Sequence, residues 1–149
     1  MCAPFNAVSG THTTALTTAK PDETTSTIQV HREPVFGLSI TLYSNNVDDI
    51  VRLAKTADSL GLDIIGIQDH PYNGSFLDTW TLISALAAST HKIRFFSDAS
   101  DLPMRQPATL AKAAATLDIL TKGRIELGLG TGGFWDAIQS WGWQQENSE

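Results

Sequence analysis

Two short stretches of this 149-residue chain carry side chains able to do chemistry, and each lies where an apolar, β-rich run ends. Asp69-His70-Pro71 follows the run Leu62–Ile67, and Gly128-Leu129-Gly130-Thr131-Gly132-Gly133 ends the run Arg124–Leu129. A histidine in such a place can titrate near neutrality, hydrogen-bond a cofactor or ligate a metal. Asp69 could orient it or accept from a ring N–H; equally, Asp69 could cap the loop while His70 packs on Pro71 and Tyr72. No second His or Cys stands at ligand spacing, so no metal site is expected. The glycine run is a literal G-x-G-x-x-G, a pattern that lets backbone approach a phosphate or a flat ring. It closes the fourth strand rather than opening a first βαβ unit, which makes a nicotinamide-binding domain the weaker use of it.

Three further features are polar or aromatic without a required role. Ser97-Asp98-Ala99-Ser100 follows the third run and reads as an ordinary strand-to-helix loop. Arg105 reads as a solvated helix-end charge rather than an anion clamp. Trp135, Trp141 and Trp143 could wall a pocket, although aromatics at that spacing serve equally as core or surface.

The elements that must position these residues follow a repeating rhythm. Strand-like runs at Phe36–Leu42, Leu62–Ile67, Ile93–Ser97 and Arg124–Leu129 alternate with helical patterns. Parallel pairing is expected, because a parallel crossover takes a dozen or more residues. Val47, Ile50, Val51, Ala54, Ala57 and Leu60 recur at helical spacing, with Asn45 or Asn46 as cap and Gly61 as stop. Asp78 is the expected cap of a helix over Thr79–Ala88. Pro107 suits the first turn of a helix running to about Leu120, with Leu110, Ala114, Leu117 and Leu120 inward and Gly123 at its end. Trp135–Ser140 is a last helical segment. Each repeat takes about 30 residues, and an eightfold barrel needs roughly 250. The fold class is therefore α/β, the first half of a TIM-type (β/α)8 barrel of about four βα units.

Composition narrows the class. The net charge is −6, with no run of Lys or Arg, so a nucleic-acid footprint is not expected. The apolar fraction of 42% can support a core. The single cysteine, Cys2, excludes an internal disulfide framework and fits a reducing compartment. No stretch reaches the ~20 apolar residues of a membrane span, and no secretory signal stands at the N-terminus. A cytoplasmic protein is the expectation. Residues 1–34 form a threonine-rich, apolar-poor zone expected to be disordered, 35–143 the folded region, and 144–149 a polar tail.

Taken together, several blocks resemble the luciferase-like flavin oxidoreductases. They are Gly66-Ile67-Gln68-Asp69-His70-Pro71, Phe76-Leu77-Asp78-Thr79-Trp80, Gln106-Pro107-Ala108 with Leu110–Asp118, Gly123-Arg124 and Gly128–Ala137. The stretch Gly132–Ala137 is similar to the branch that uses deazaflavin F420. The resemblance implies a (β/α)8 barrel with the ring in its mouth, coenzyme F420 as cofactor and FMN as the alternative. It implies His70 as proton donor or acceptor beside the ring, and Asp69 as a cofactor-binding residue. A third-strand bulge with a non-prolyl cis peptide would map to Asp98-Ala99, and Gly130, Thr131 and Gly132 would lie close to the cofactor. Members usually show glycine, threonine and valine near that strand end, where this chain has Phe96-Ser97-Asp98-Ala99. Some F420 enzymes carry an acidic residue where this chain has Gly133.

The function expected from this resemblance is hydride transfer or monooxygenation of a small organic substrate. As partners, a second copy or a complementary C-terminal half would complete the barrel. A non-catalytic fragment acting by association is the alternative.

Overall fold

The computed structural model describes residues 34–142. The threonine-rich zone up to residue 33, the polar tail and Trp143 lie outside the described residues. Four parallel strands form the main sheet in the order β1 (Gly37–Ile40), β2 (Ile64–Ile67), β3 (Arg94–Ser97) and β5 (Ile125–Glu126). Gly37 pairs with Ile64, Ile64 with Arg94, and Phe95 with Ile125. The helices α1 (Val47–Leu60), α2 (Thr79–Ala88) and α3 (Pro107–Thr121) supply the crossovers, and α4 (Trp135–Ser140) follows the last strand. This is an α/β fold on a parallel sheet, as the alternation of elements predicts.

The strands are short and apolar because helices cover them. Ile40, Ile65, Ile67 and Phe95 are buried with Ile50, Ala54 and Ala57 of α1 and Leu82, Ile83 and Leu86 of α2. A smaller cluster joins Trp80, Leu110 and Ala114. Two polar side chains brace the crossovers. The Asp58 carboxylate accepts the backbone N–H groups of His91, Lys92 and Ile93 at 2.8–2.9 Å. The Arg124 guanidinium donates to the carbonyls of Thr121, Ile93 and Ala87, tying the ends of α2 and α3 to the start of β3.

Three expectations are corrected. Leu120 points outward, 72% exposed, because the inward stripe Leu110–Ala114–Leu117 continues at its i+4 position, Thr121, which is buried. Leu60 is likewise exposed, at the end of the α1 stripe. Neither Asn45 nor Asn46 caps α1 with its side chain; Ser44–Asn46 instead forms a 3-10 turn that runs into the helix.

The fourth run is not one strand. It divides into β5 and β6 (Leu129–Gly130), and β6 pairs in parallel with β4 (Ser100–Asp101), beyond the end of β3. The break falls at Gly128, where two segments of the chain come too close for a side chain. A Cβ on Gly128 would lie 2.1 Å from the carbonyl oxygen of Ser97. The Gly128 carbonyl accepts from Ser100 N–H at 2.8 Å and from Ser97 Oγ at 3.0 Å. The Asp98–Ala99 peptide between them is cis. The stretch is thus the bulge with a non-prolyl cis peptide that the family resemblance implies, not the plain loop its residues alone suggest, and Trp80 Nε1 donates to Ser100 Oγ, which donates to Ser97 Oγ.

Candidate functional site

Both chemistry-bearing stretches reach one end of the sheet. β2 ends at Ile67, so Asp69 and His70 lie just beyond its carboxyl end, beside the β3–β4 bulge; β6 delivers the glycine run to the same place. Together they line a cavity of about 280 Å3 formed by Asp69, His70, Tyr72, Ala99 and Asp101 on one side and Gly130–Phe134 on the other. A larger open groove of about 640 Å3 runs over α2 and α3, but it brings no acid and base together. Carboxyl ends of parallel strands are where α/β folds gather ligands.

Of the residues expected at a site, Asp69, His70, Ala99, Gly130, Thr131 and Gly132 meet at this cavity. Asp98 does not: its side chain is exposed outside the lining, while its N–H donates to Ile67 O. Trp135 and Trp141 do not line it either; Tyr72 and Phe134 do, Phe134 being 63% exposed. The His70 ring meets Phe134 edge-on at 5.9 Å and lies 5.6 Å from Tyr72 and 6.1 Å from Phe76. Its Nδ1 shares a 2.7 Å hydrogen bond with the Tyr72 hydroxyl. With Nδ1 engaged, Nε2 is the ring nitrogen left for a ligand.

Asp69 is buried, and its two oxygens are committed. Oδ2 accepts from Asp101 N–H and Arg105 Nε, each at 3.0 Å, and Oδ1 accepts from Arg105 Nη2 at 2.5 Å. Arg105 is therefore no solvated charge. Its side chain is 17% exposed, and Nη2 also reaches Asp78 Oδ2 at 2.8 Å. The physical reason is charge compensation, since a buried carboxylate needs a paired, hydrogen-bonded partner. Burial works against the Arg105 charge, but hydrogen bonds and attraction from Asp69 and Asp78 prevail and raise its pKa. Asp78 also caps α2, accepting from Thr81 N–H and Oγ1 at 2.9 Å. Its pKa is lowered, because these bonds and Arg105 outweigh desolvation.

Asp101, Tyr72 and Phe134 are lining residues that sequence reasoning missed. Asp101 directly follows the singled-out stretch Ser97–Ser100, and its position at the strand end was the available signal. Its side chain is buried, and Oδ1 has no hydrogen-bond partner. Burial, and then the charge of Asp69, pushes the Asp101 carboxyl above its usual range, against the lowering pull of His70 and Arg105. Burial, Asp101 and Asp69 likewise raise the Tyr72 phenol. Among the described residues no group of three His, Cys, Asp or Glu could hold a metal ion, and no helix is long and apolar enough to cross a membrane.

The residues fit a flat heteroaromatic ring. One wall is largely glycine backbone, with the side chains of Thr131 and Phe134, and one edge carries an imidazole. Comparison with known proteins bears on the family. An uncharacterized protein of Mycobacterium tuberculosis is 32% identical over 102 residues, covering 54% of this chain and 35% of that protein. The oxygenating constituent of 3,6-diketocamphane monooxygenase from a Pseudomonas putida plasmid, a type II Baeyer-Villiger enzyme solved with FMN, is similar at 30% identity. That match has a TM-score of 0.66 and covers 72% of this chain and 32% of that one. The coenzyme F420-dependent tetrahydromethanopterin reductase of Methanopyrus kandleri is similar at 26% identity with a TM-score of 0.64, covering 74% and 30%. The chain thus spans about a third of the length of each of these relatives. The family profile described as luciferase-like monooxygenase matches residues 13–147. A parallel α/β sheet whose strand ends gather an imidazole and a glycine run, together with a match over nearly the whole chain, makes this protein a member of the luciferase-like monooxygenase family.

Proposed function

We propose that the cavity binds the ring of a flavin-type cofactor, coenzyme F420 with FMN as the alternative, for oxidoreduction of a small organic substrate. One observation carries this reading: His70 and the glycine run, about 60 residues apart in sequence, face a single cavity with glycine backbone along one wall. Such a ring supplies the hydride chemistry when it is bound. The chain's own residues bind, orient and shield. Gly130, Thr131 and Gly132 let backbone lie against the ring, and Ala99 supports it from the bulge. His70 Nε2 holds or moves a proton, with Tyr72 fixing Nδ1. Asp69 acts through Arg105 and the Asp101 N–H rather than by a free oxygen, so it shapes the site that binds the cofactor.

The same reading extends to architecture. The four βα units are the first half of a (β/α)8 barrel, with β1 and β5 as the edges of the sheet among the described residues. Apolar side chains stand exposed, among them Phe36 at 67% next to β1 and Ile119 at 78% on α3. These favour a partner, either a second copy or a complementary half, and they also support the second reading of a subunit that acts by association.

Titration of the purified chain with F420 and with FMN, followed by fluorescence and by light scattering, tests both readings. Saturable binding by a defined oligomer is the expected result. A monodisperse, folded chain that binds neither cofactor would overturn the oxidoreductase reading and leave association.

A further inference from the structure

His70 presents one ring nitrogen to Tyr72 and leaves the other without a partner. Nδ1 lies 2.7 Å from the Tyr72 hydroxyl, and Nε2 makes no hydrogen bond among the described residues. A neutral imidazole carries its proton on one nitrogen only, and the hydrogen bond made by the other decides which. Among the described residues Nδ1 is the one hydrogen-bond partner of that hydroxyl, so the phenol proton has a single acceptor in reach. Burial and the charges of Asp101 and Asp69 hold this proton on the phenol. The phenol therefore donates, Nδ1 accepts, and the imidazole proton is left on Nε2. Three aromatic rings keep the imidazole in this orientation: Tyr72 at 5.6 Å, Phe134 edge-on at 5.9 Å and Phe76 at 6.1 Å. His70 and Tyr72 both line the cavity as it stands, so no part of the chain has to move.

We propose that Tyr72 is a positioning residue that fixes His70 as the Nε2–H tautomer, so that the imidazole meets the bound ring as a hydrogen-bond donor. The inference rests on the cofactor reading above and assigns the direction of its proton contact. The acceptor is a carbonyl oxygen or an unprotonated nitrogen of the ring, both of which a flavin-type heterocycle carries. A neutral imidazole in this role polarises its acceptor without giving up the proton. It draws electron density from the ring, which favours a ring that takes up a hydride. The alternative, Nε2 as a general base, needs the proton on Nδ1. The phenol would then have to accept, and its own proton would lose its partner.

Long-range proton–nitrogen NMR of the full chain, labelled at histidine nitrogen, tests the tautomer. The measurement is made at about pH 9, above the ordinary range of histidine and below that of tyrosine. H70Q identifies the His70 signals among those of the four histidines by their absence. The native chain without ligand is expected to show one tautomer, with the proton on Nε2. Y72F removes only the hydroxyl, and the Nδ1 resonance should move toward that of an unprotonated nitrogen with no donor. A proton on Nδ1 in the native chain, a mixture of tautomers, or signals that Y72F leaves in place overturns the inference. If Y72F does not fold, the native spectrum decides alone, since a single Nε2–H tautomer sustains the inference and any other result overturns it.

F420 and FMN, added in turn, test the contact itself. Binding that moves the Nε2 proton to lower field is expected, the mark of a hydrogen bond formed. Binding that leaves this proton in place, or strips it from Nε2, overturns the donor contact while the cofactor reading stands. Binding of neither cofactor overturns the cofactor reading and the contact with it, whichever tautomer the chain shows without ligand.

Discussion

Arg105 grips Asp69 with two hydrogen bonds, Nε to Oδ2 at 3.0 Å and Nη2 to Oδ1 at 2.5 Å, and the same Nη2 reaches Asp78 at 2.8 Å. One guanidinium therefore joins the segment after β2, the turn after β4 and the cap of α2. The acid that sequence reasoning marks as a ligand-binding residue is held from behind by a cation expected in solvent. The arrangement positions Asp101 as well, because the Asp101 N–H shares the Oδ2 that Arg105 holds.

Removing the cation leaves a buried carboxylate unpaired. R105A should lose about 3–5 kcal/mol of stability in urea denaturation, the usual cost of breaking a buried pair from one side. R105K should recover only part of it, since a lysine cannot reproduce the planar fork. Equal midpoints for R105A and the native chain would show that the clamp is dispensable.

Close approach at Gly128 makes a sharper steric prediction. G128A forces a Cβ against the Ser97 carbonyl oxygen and should cost about 1–3 kcal/mol, as overpacking does. G74A, where no atom lies within 4 Å and φ is not positive, should stay within about 0.5 kcal/mol of the native chain. Paired thermal melts of the two variants check the contrast.

Tyr72 offers a spectroscopic handle on the charge around the cavity. The chain has two tyrosines, so Y43F leaves Tyr72 as the sole phenol. Its phenolate absorbance should rise only above pH 10, because burial and the charges of Asp101 and Asp69 hold the proton on. Adding D101N should move the midpoint downward. A midpoint that ignores Asp101 would contradict the proximity of the two groups.

Asp58 contributes to the acid limb of stability. Desolvation disfavours its charge, but three backbone N–H groups and His91 outweigh that, so its pKa lies below the ordinary 3.8. A depressed carboxylate pKa stabilises the fold fully above the unfolded value, and that stability drains away as pH falls through the folded one. Acid denaturation of the native chain should therefore steepen below about pH 4. D58N should flatten that limb and, by weakening the three bonds at neutral pH, cost about 1–3 kcal/mol. An unchanged limb in D58N would assign acid unfolding to other carboxylates.

Local signals were legible in the sequence because their causes are local. Apolar spacing located α1, α2 and α3, and Pro107, Asp78 and Gly61 stand at their ends with the roles their chemistry suggests. Alternation of elements sufficed for a parallel α/β sheet, since crossovers of that length permit little else. Strand ends in such a sheet collect polar residues, which is why His70 and the glycine run could be named from their positions alone. What tertiary structure decided depends on contacts between distant segments. Arg105 is a clamp only because Asp69 lies 36 residues away in sequence and 2.5 Å away in space. β6 leaves the fourth strand only because Gly128 must pass the Ser97 carbonyl. Asp101 is one more acid in a loop until folding buries it beside Asp69 and leaves an oxygen without a partner. Periodicity records which face of an element is covered, whereas hydrogen-bond partners and burial at a site are set by where the chain returns.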